Sequence, residues 1–505
     1  MSNHMFDAIR AAVPSRDATL LTAPAGRQWT YGDMLDFTAR LAARLAALGV
    51  GPEDRVAAQV EKSPEALMLY LACLRAGAVF LPLNTAYTVA EVEYFVRDAE
   101  PRLVVTSPAA ADAVRTVAER HGARIETLDD AGGGSLVAGL AGDAGFEDVP
   151  RGPDDLAAIL YTSGTTGRSK GAMLSHDNLL SNARVLVDYW RFTPSDRLVH
   201  ALPIFHTHGL FVAGNTVLLA GGSMDFLPKF DADKVLDLMD RATSFMGVPT
   251  HYVRLLQSPR LTRERTASMR LFTSGSAPLL SETHRAFFER TGHAILERYG
   301  MTETNMNTSN PYDGERIAGT VGFPLPGVSL RVADPATGRP LGTDEIGVLE
   351  VKGPNVFKGY WRMPDKTAAE FRPDGYFITG DLGTVDARGY VRIVGRGKDL
   401  IISGGFNVYP KEVETEIDAI DGVVESAVIG VPHPDFGEGV TGVVVREAGA
   451  SLSEADILAA LADRLARFKQ PKAIFFVDEL PRNTMGKVQK NILRDTYRDI
   501  YSSQA

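Results

Sequence analysis

YTSGTTGRSKG, Tyr161 to Gly171, is the most informative stretch of this chain. Gly164, Gly167 and Gly171 allow the backbone to come close to a ligand, and Thr162, Ser163, Thr165 and Thr166 add hydroxyl donors. Lys170 adds a positive charge. Free N–H groups, hydroxyls and one ammonium are the donor set a polyphosphate needs. The Walker A order G-x-x-x-x-G-K-[ST] does not fit, because Lys170 follows Ser169 and precedes Gly171, so a P-loop NTPase is rejected. No G-x-G-x-x-G follows a strand, and no G-x-S-x-G elbow or H-E-x-x-H helix is present. The apolar runs DLAAILYT before the loop and AMLSH after it read as strands.

Outward from the loop, strands alternate with helices. Tyr31 to Leu48 has apolar residues at three- and four-residue steps and stops before Gly49; a second helix opens at Ser63-Pro64 with Ser63 as N-cap. RVAAQV, AVFLPL and RLVVTS read as strands between the helices. This alternation implies βαβ units and a largely parallel sheet covered on both faces. Ala109 to Asp154, rich in Ala, Gly and Asp, reads as a surface connection. The expected fold class is α/β, with a large N-terminal domain of mixed, layered α/β subdomains, residues 1–395. A small mobile α+β C-terminal domain, residues 396–505, follows. Its pattern is strand, helix (PKEVETEIDAI), strand, strand, helix and basic tail, and the boundary is placed at Gly395 to Lys398.

The chain has 505 residues, with 53 Lys+Arg against 63 Asp+Glu, a formal charge of −10. The excess of acid argues against nucleic acid as a partner, because a phosphate backbone needs a basic footprint. Cys73 is the single cysteine, which excludes an intrachain disulfide and a thiolate metal cluster. No apolar run approaches the ~18 residues of a membrane span, and the opening MSNHMFDAIRAAVPSRD lacks a basic segment leading into an apolar one. The expectation is a cytoplasmic protein without a membrane partner.

YTSGTTGRSKG resembles the phosphate loop of adenylate-forming enzymes, the superfamily of acyl-CoA synthetases, luciferases and peptide-synthetase adenylation domains. Ser169 stands where the usual form has proline. SGSAP (Ser274 to Pro278), YGMTE (Tyr299 to Glu303), FITGD (Phe377 to Asp381), GRGKD (Gly395 to Asp399) and PRNTMGK (Pro481 to Lys487) resemble further motifs of that family, in order. The resemblance implies ATP, Mg²⁺ and coenzyme A as reactants. It implies that Thr162 to Gly167 (Thr162, Ser163, Gly164, Thr165, Thr166, Gly167) and Lys170 hold phosphates, and that Glu303 holds the ATP-bound Mg²⁺. Asp381 would accept the ribose hydroxyls, with Arg396 beside it. Ser276, Ala277, Tyr299, Gly300, Met301 and Thr302 would line the adenine pocket. Lys487 would be the catalytic lysine of adenylation and Lys398 the hinge. Gly404 and Gly405 would meet coenzyme A after rotation of the small domain.

The family accepts many acids, so the acyl pocket must be read from its own residues. Segments near HTHGL, GVPTHYVRLL, SGSA and YGMTE offer His206, His208, Arg254 and Arg285 as cations. An arginine in a pocket for a fatty or aryl acid would be a buried unpaired charge; a dicarboxylic acid supplies its partner. EKSPEALMLYLACLRAGAVFLPLNTAYT, LPIFHTHGLF, ERYGMTETNMNTSNPYDG and KGPNVFKGYWRMP resemble bacterial malonyl-CoA synthetases. That resemblance implies malonate as substrate, with Arg254 on the distal carboxylate and His208 and Ser276 assisting. Methylmalonate, acetate and propionate are the alternatives, and a luciferase-type oxygenase would share the same motifs. A lysine acetyltransferase and deacetylase acting on Lys487 are expected as partners, since acetylation removes the charge that adenylation uses.

Overall fold

The computed structural model describes residues 2–140, 142, 145–162, 169–404, 406–462, 464–483 and 486–501, the side chain of Ala25 excepted. Contacts divide the chain into two compact units. One comprises Met1–Ser329 with Lys352–Gly375, the other Leu330–Val351 with Tyr376–Ala505.

In the first unit a six-stranded sheet runs in the order Arg124–Thr127, Leu103–Thr106, Arg55–Gln59, Val79–Pro82, Leu156–Thr162, Lys170–Ser175. All neighbours are parallel except the last pair. That pair places Thr162 opposite Lys170 and Tyr161 opposite Gly171, so the glycine-rich stretch joins two antiparallel strands. The helix Pro64–Ala76 is buried along its whole length, capped by Ser63, which accepts from Ala66 N–H, and closed by Gly77 at φ +70°. The helix Tyr31–Ala47 ends where the chain turns through Gly49 at φ +81°. Ala109 to Asp154 is not all surface connection: it contains the helix Ala111–Arg120 and the edge strand Arg124–Thr127.

A nine-stranded sheet completes this unit. Within it Ser223–Phe226, Arg197–His200, Ser244–Gly247, Leu271–Ser274 and Leu296–Met301 are adjacent and parallel. Phe245, Phe272, Tyr252, Leu255 and Phe287 pack one face into a buried core. The carboxyl ends of neighbouring parallel strands open on one edge, where α/β sheets place their ligands.

The second unit holds a four-stranded sheet of Ser329–Ala333, Gly347–Lys352, Phe377–Val385 and Val391–Arg396, and a five-stranded sheet around Val423–His433 and Gly437–Arg446. The first of these sheets groups with the C-terminal region, whereas a division at residue 395 would have placed it in the large domain. The basic tail also contains a strand, Ala473–Val477, parallel to Gly437–Arg446, and a helix, Lys490–Thr496. Among the described residues no helix is long and apolar enough to cross a membrane.

Candidate active site

Three segments follow adjacent parallel strands in the first unit. After Arg197–His200 comes the π-helix His208–Gly214; after Ser244–Gly247 the helix Pro249–Gln257; after Leu271–Ser274 the turn at Gly275-Ser276. His208 is fully buried, its Nδ1 lies 3.2 Å from Ser276 Oγ, and its Nε2 has no hydrogen-bond partner among the described residues. Burial, then Arg298 and the neighbouring histidines His206, His251 and His200, hold its pKa well below the usual value, so the ring is neutral. Ser276 sits at φ +70°, a left-handed conformation uncommon for a residue with a side chain. The structure thus brings His208 and Ser276 together.

Arg298, in the strand Leu296–Met301, is a residue that the sequence reading missed. It is only 3% exposed, and its Nε and one terminal nitrogen have no partner among the described residues. Burial pushes its pKa down to about 9. A side-chain carbon at Gly275 would meet its guanidinium at 2.2 Å, so the glycine of SGSAP is the floor on which this arginine lies. Arg254 is placed differently. It lies on the exposed side of the helix Pro249–Gln257, one turn from His251, and makes no hydrogen bond or ion pair among the described residues. Burial, and then the charge of Arg254, push the pKa of His251 down to about 3. Arg285 belongs to the helix Ser281–Thr291, beside the exposed Phe288.

Beside the glycine-rich stretch, Lys170 Nζ lies 3.1 Å from Glu370 Oε1 and 4.0 Å from the centre of the Tyr360 ring. The Tyr360 hydroxyl is within hydrogen-bond distance of Glu370 (2.7 Å) and of Glu303 Oε1 (3.0 Å). Burial and these two carboxylates raise the Tyr360 pKa, so its hydroxyl stays protonated and can donate. Lys170, Glu370, Tyr360 and Glu303 therefore form one connected chain, of which sequence had identified only the two ends. Glu303 is 5% exposed. Among the described residues no three His, Cys, Asp or Glu groups gather to hold a metal. One buried carboxylate, linked through Tyr360 and Glu370 to Lys170, instead suits Mg²⁺ that arrives with phosphates and keeps its waters. Thr162 Oγ1 lies 3.5 Å from Lys170 O. Ser163, Gly164, Thr165, Thr166 and Gly167 lie outside the described residues. Ala277, Tyr299, Gly300, Met301 and Thr302 are half-buried along the rim of the same sheet edge. Gly300 has backbone against it: an added carbon would fall 1.7 Å from Asn305 O.

In the second unit Asp381 pairs in register with Arg396, whose Nε lies 2.8 Å from Asp381 Oδ1. Lys487 leaves a tight turn: Asn483 N–H donates to Lys487 O at 2.9 Å, and Lys487 N–H donates to Asn483 Oδ1 at 3.0 Å. Arg482 clamps this turn by donating to Gly486 O at 2.6 Å while pairing with Glu425. Lys487 is exposed as a residue, although protein surrounds its ammonium. Its pKa is nevertheless pushed down to about 8, first by the protein around the ammonium and then by Arg396 and Lys398, with Asp381 and Asp399 opposing. The structure thus gathers Asp381, Arg396, Lys398 and Lys487 into one mutually interacting set. Gly404 is exposed at φ +60° and donates to Phe436 O at 2.8 Å; Gly405 lies outside the described residues.

Residues 9–361 match the AMP-binding enzyme family, and residues 412–487 match the AMP-binding enzyme C-terminal domain. A feruloyl-CoA synthase of an Amycolatopsis species is 38% identical over 474 residues, covering 93% of this chain and 94% of the relative. A malonate–CoA ligase of Arabidopsis thaliana is 35% identical over 452 residues, covering 83% and 74%. The crystal structure of ATP-bound MatB from Rhodopseudomonas palustris superposes with a TM-score of 0.97 at 64% identity, covering 99% of this chain and 100% of that one. On sequence, fold and the arrangement of its charged groups, this chain belongs to the AMP-binding enzyme family.

Proposed function

We propose that this chain is an ATP-dependent malonate–CoA ligase, producing malonyl-CoA, AMP and pyrophosphate through a malonyl-adenylate. The observation that carries the choice of acid is Arg298, a buried guanidinium with unmet N–H groups beside His208 and Ser276. An aryl or alkyl acid leaves that charge unpaired in a dry site. A diacid activated at one end brings a carboxylate for the other. Similarity to the Arabidopsis malonate–CoA ligase supports the same reading. Arg254 takes the solvent side, where its charge draws the dianion in.

One malonate carboxylate oxygen attacks the α-phosphorus of ATP, the bond to the β-phosphate oxygen breaks, and pyrophosphate leaves. Both reactants are anions, so the chain's main task is to neutralise and position them. Lys170 and the residues from Thr162 to Gly167 hold phosphates. Glu303, held by Tyr360, is the carboxylate that fits Mg²⁺, which would neutralise phosphate charge. Lys487 would neutralise the developing negative charge. Asp381, oriented by Arg396, accepts the ribose hydroxyls, and the Ser276-Ala277 and Tyr299–Thr302 segments flank the base. The thiol of coenzyme A then attacks the acyl carbon and AMP leaves, with Gly404-Gly405 offering backbone to the incoming thiol. Lys398, between Gly397 and Asp399 and close after Gly395 at φ +151°, is the residue at which the chain changes between the two steps. Exposure of Lys487 also suits a lysine acetyltransferase and deacetylase. Mass spectrometry that found Lys487 unmodified under all growth conditions would remove that part. A cytoplasmic setting, where ATP and coenzyme A are available, belongs to the same proposal.

Pyrophosphate release across a panel of carboxylic acids, with and without coenzyme A, tests the reading. Malonate is expected to exceed acetate and propionate by about ten- to a hundredfold in kcat/KM, the worth of one charge-assisted pair. Equal turnover of monocarboxylates, or of an aryl acid, would overturn it.

A further inference from the structure

Lys62 lies in the first unit with 7% of its surface exposed, and no carboxylate pairs with it among the described residues. Its ammonium is nonetheless fully engaged. Nζ is 2.8 Å from His200 Nδ1, 2.8 Å from His200 O and 4.3 Å from the centre of the Phe226 ring, so a partner exists for each of three N–H directions. His200 is itself 1% exposed, and its Nε2 is 2.8 Å from Gly209 O. A carbonyl only accepts, so Nε2 carries the proton and Nδ1 accepts from Lys62. The tautomer is thereby fixed, and the donors run in one direction, from Lys62 to His200 to Gly209 O.

Gly209 follows His208 at the start of the π-helix His208–Gly214. An added carbon at Gly209 would fall 2.0 Å from Pro203 O, so backbone is packed hard against this turn. The turn has no side-chain cap; Thr207 instead donates from Oγ1 to Asn305 Oδ1 at 2.9 Å. π-Helical turns are rare and are found mostly at functional sites. We propose that Lys62 is a positioning residue for the acid pocket: acting through His200, it holds the first turn of this π-helix and thereby aims His208 at Ser276.

A buried lysine without a carboxylate is costly, and burial drives the Lys62 pKa well down. A methionine of similar length would relieve that cost, so Lys62→Met is expected to unfold at the same or a higher temperature than the unmodified enzyme. The proposal rests on the functional reading above and predicts a KM split. Lys62→Met raises KM for malonate about tenfold, equivalent to ~1.4 kcal/mol, and leaves KM for ATP unchanged. His200→Leu does the same, whereas His200→Gln, which retains a donor and an acceptor, recovers most of the loss. Because Lys62 acts through His200, the double variant Lys62→Met/His200→Leu is no worse than either single one.

Stable Lys62→Met enzyme with an unchanged malonate KM would overturn the proposal, as would additive losses in the double variant. If Lys62→Met does not fold, His200→Leu against His200→Gln decides alone: equal malonate KM values overturn the proposal, and rescue by Gln supports it. Failure of the unmodified enzyme to turn over malonate would instead overturn the functional reading. The same KM split is then read on whichever acid the enzyme accepts.

Discussion

Arg298 and Lys487 are both cations assigned to anions, yet the protein treats them in opposite ways. Arg298 is built into a strand, 3% exposed, resting on Gly275. Lys487 is an exposed residue whose backbone is tied to Asn483, with Arg482 and Glu425 beside it. A sealed cation pays its desolvation in advance and rewards only a ligand that brings a countercharge, which is how a pocket discriminates a diacid from a monoacid. An exposed cation discriminates little but can engage during one step and leave for the next. Specificity and catalysis thus draw on the same charge in two environments.

The contrast can be broken most sharply at Lys487. Lys487→Ala should lower adenylation, measured as pyrophosphate release, by about 10²–10³, the usual cost of removing one preorganised group that stabilises transition-state charge. Thioester formation from supplied malonyl-adenylate should be unchanged. The same lysine predicts a pH dependence. With a pKa lowered to about 8 it is charged below that pH and neutral above it, so kcat/KM for ATP should fall as pH rises through about 8. Next in size, Gly275→Ala forces a carbon against the Arg298 guanidinium and should cost malonate kcat/KM about tenfold or more, with acetate turnover kept. Arg482→Ala removes the clamp on the Lys487 turn and should slow adenylation by about tenfold, the worth of one charge-assisted hydrogen bond, with thioester formation intact. Arg254→Ala should be the mildest. An exposed charge is screened, so malonate kcat/KM should fall less than about threefold at 0.15 M salt and further at low salt.

Much of the scaffold was legible in the chain. Periodicity and caps located the helices Tyr31–Ala47 and Pro64–Ala76, and the runs flanking the glycine-rich stretch are strands as read, although they pair with each other antiparallel in a sheet expected to be largely parallel. Short elements with mixed composition escaped: RIET at Arg124–Thr127 is too short for alternation, and AIFFV at Ala473–Val477 was hidden in a basic tail. Among site residues, those within motifs were visible, whereas those joined by long-range contact were not. Glu370 meets Lys170 across 200 residues of sequence, and Tyr360 reaches Glu303 across 57. Arg298 escaped because a charged residue in a strand reads as facing water, and only the turn at Gly275, from the neighbouring strand, reveals that it is covered. Arg254 is favoured by its segment and by resemblance, neither of which shows that the helix turns it outward.

The most direct test of the account is the ratio of kcat/KM for malonate to that for propionate, measured for the unmodified enzyme and for Arg298→Met. A buried guanidinium as the diacid's partner predicts that the ratio falls about ten- to a hundredfold, with propionate turnover maintained or improved. An unchanged ratio in a folded, ATP-competent variant would contradict it.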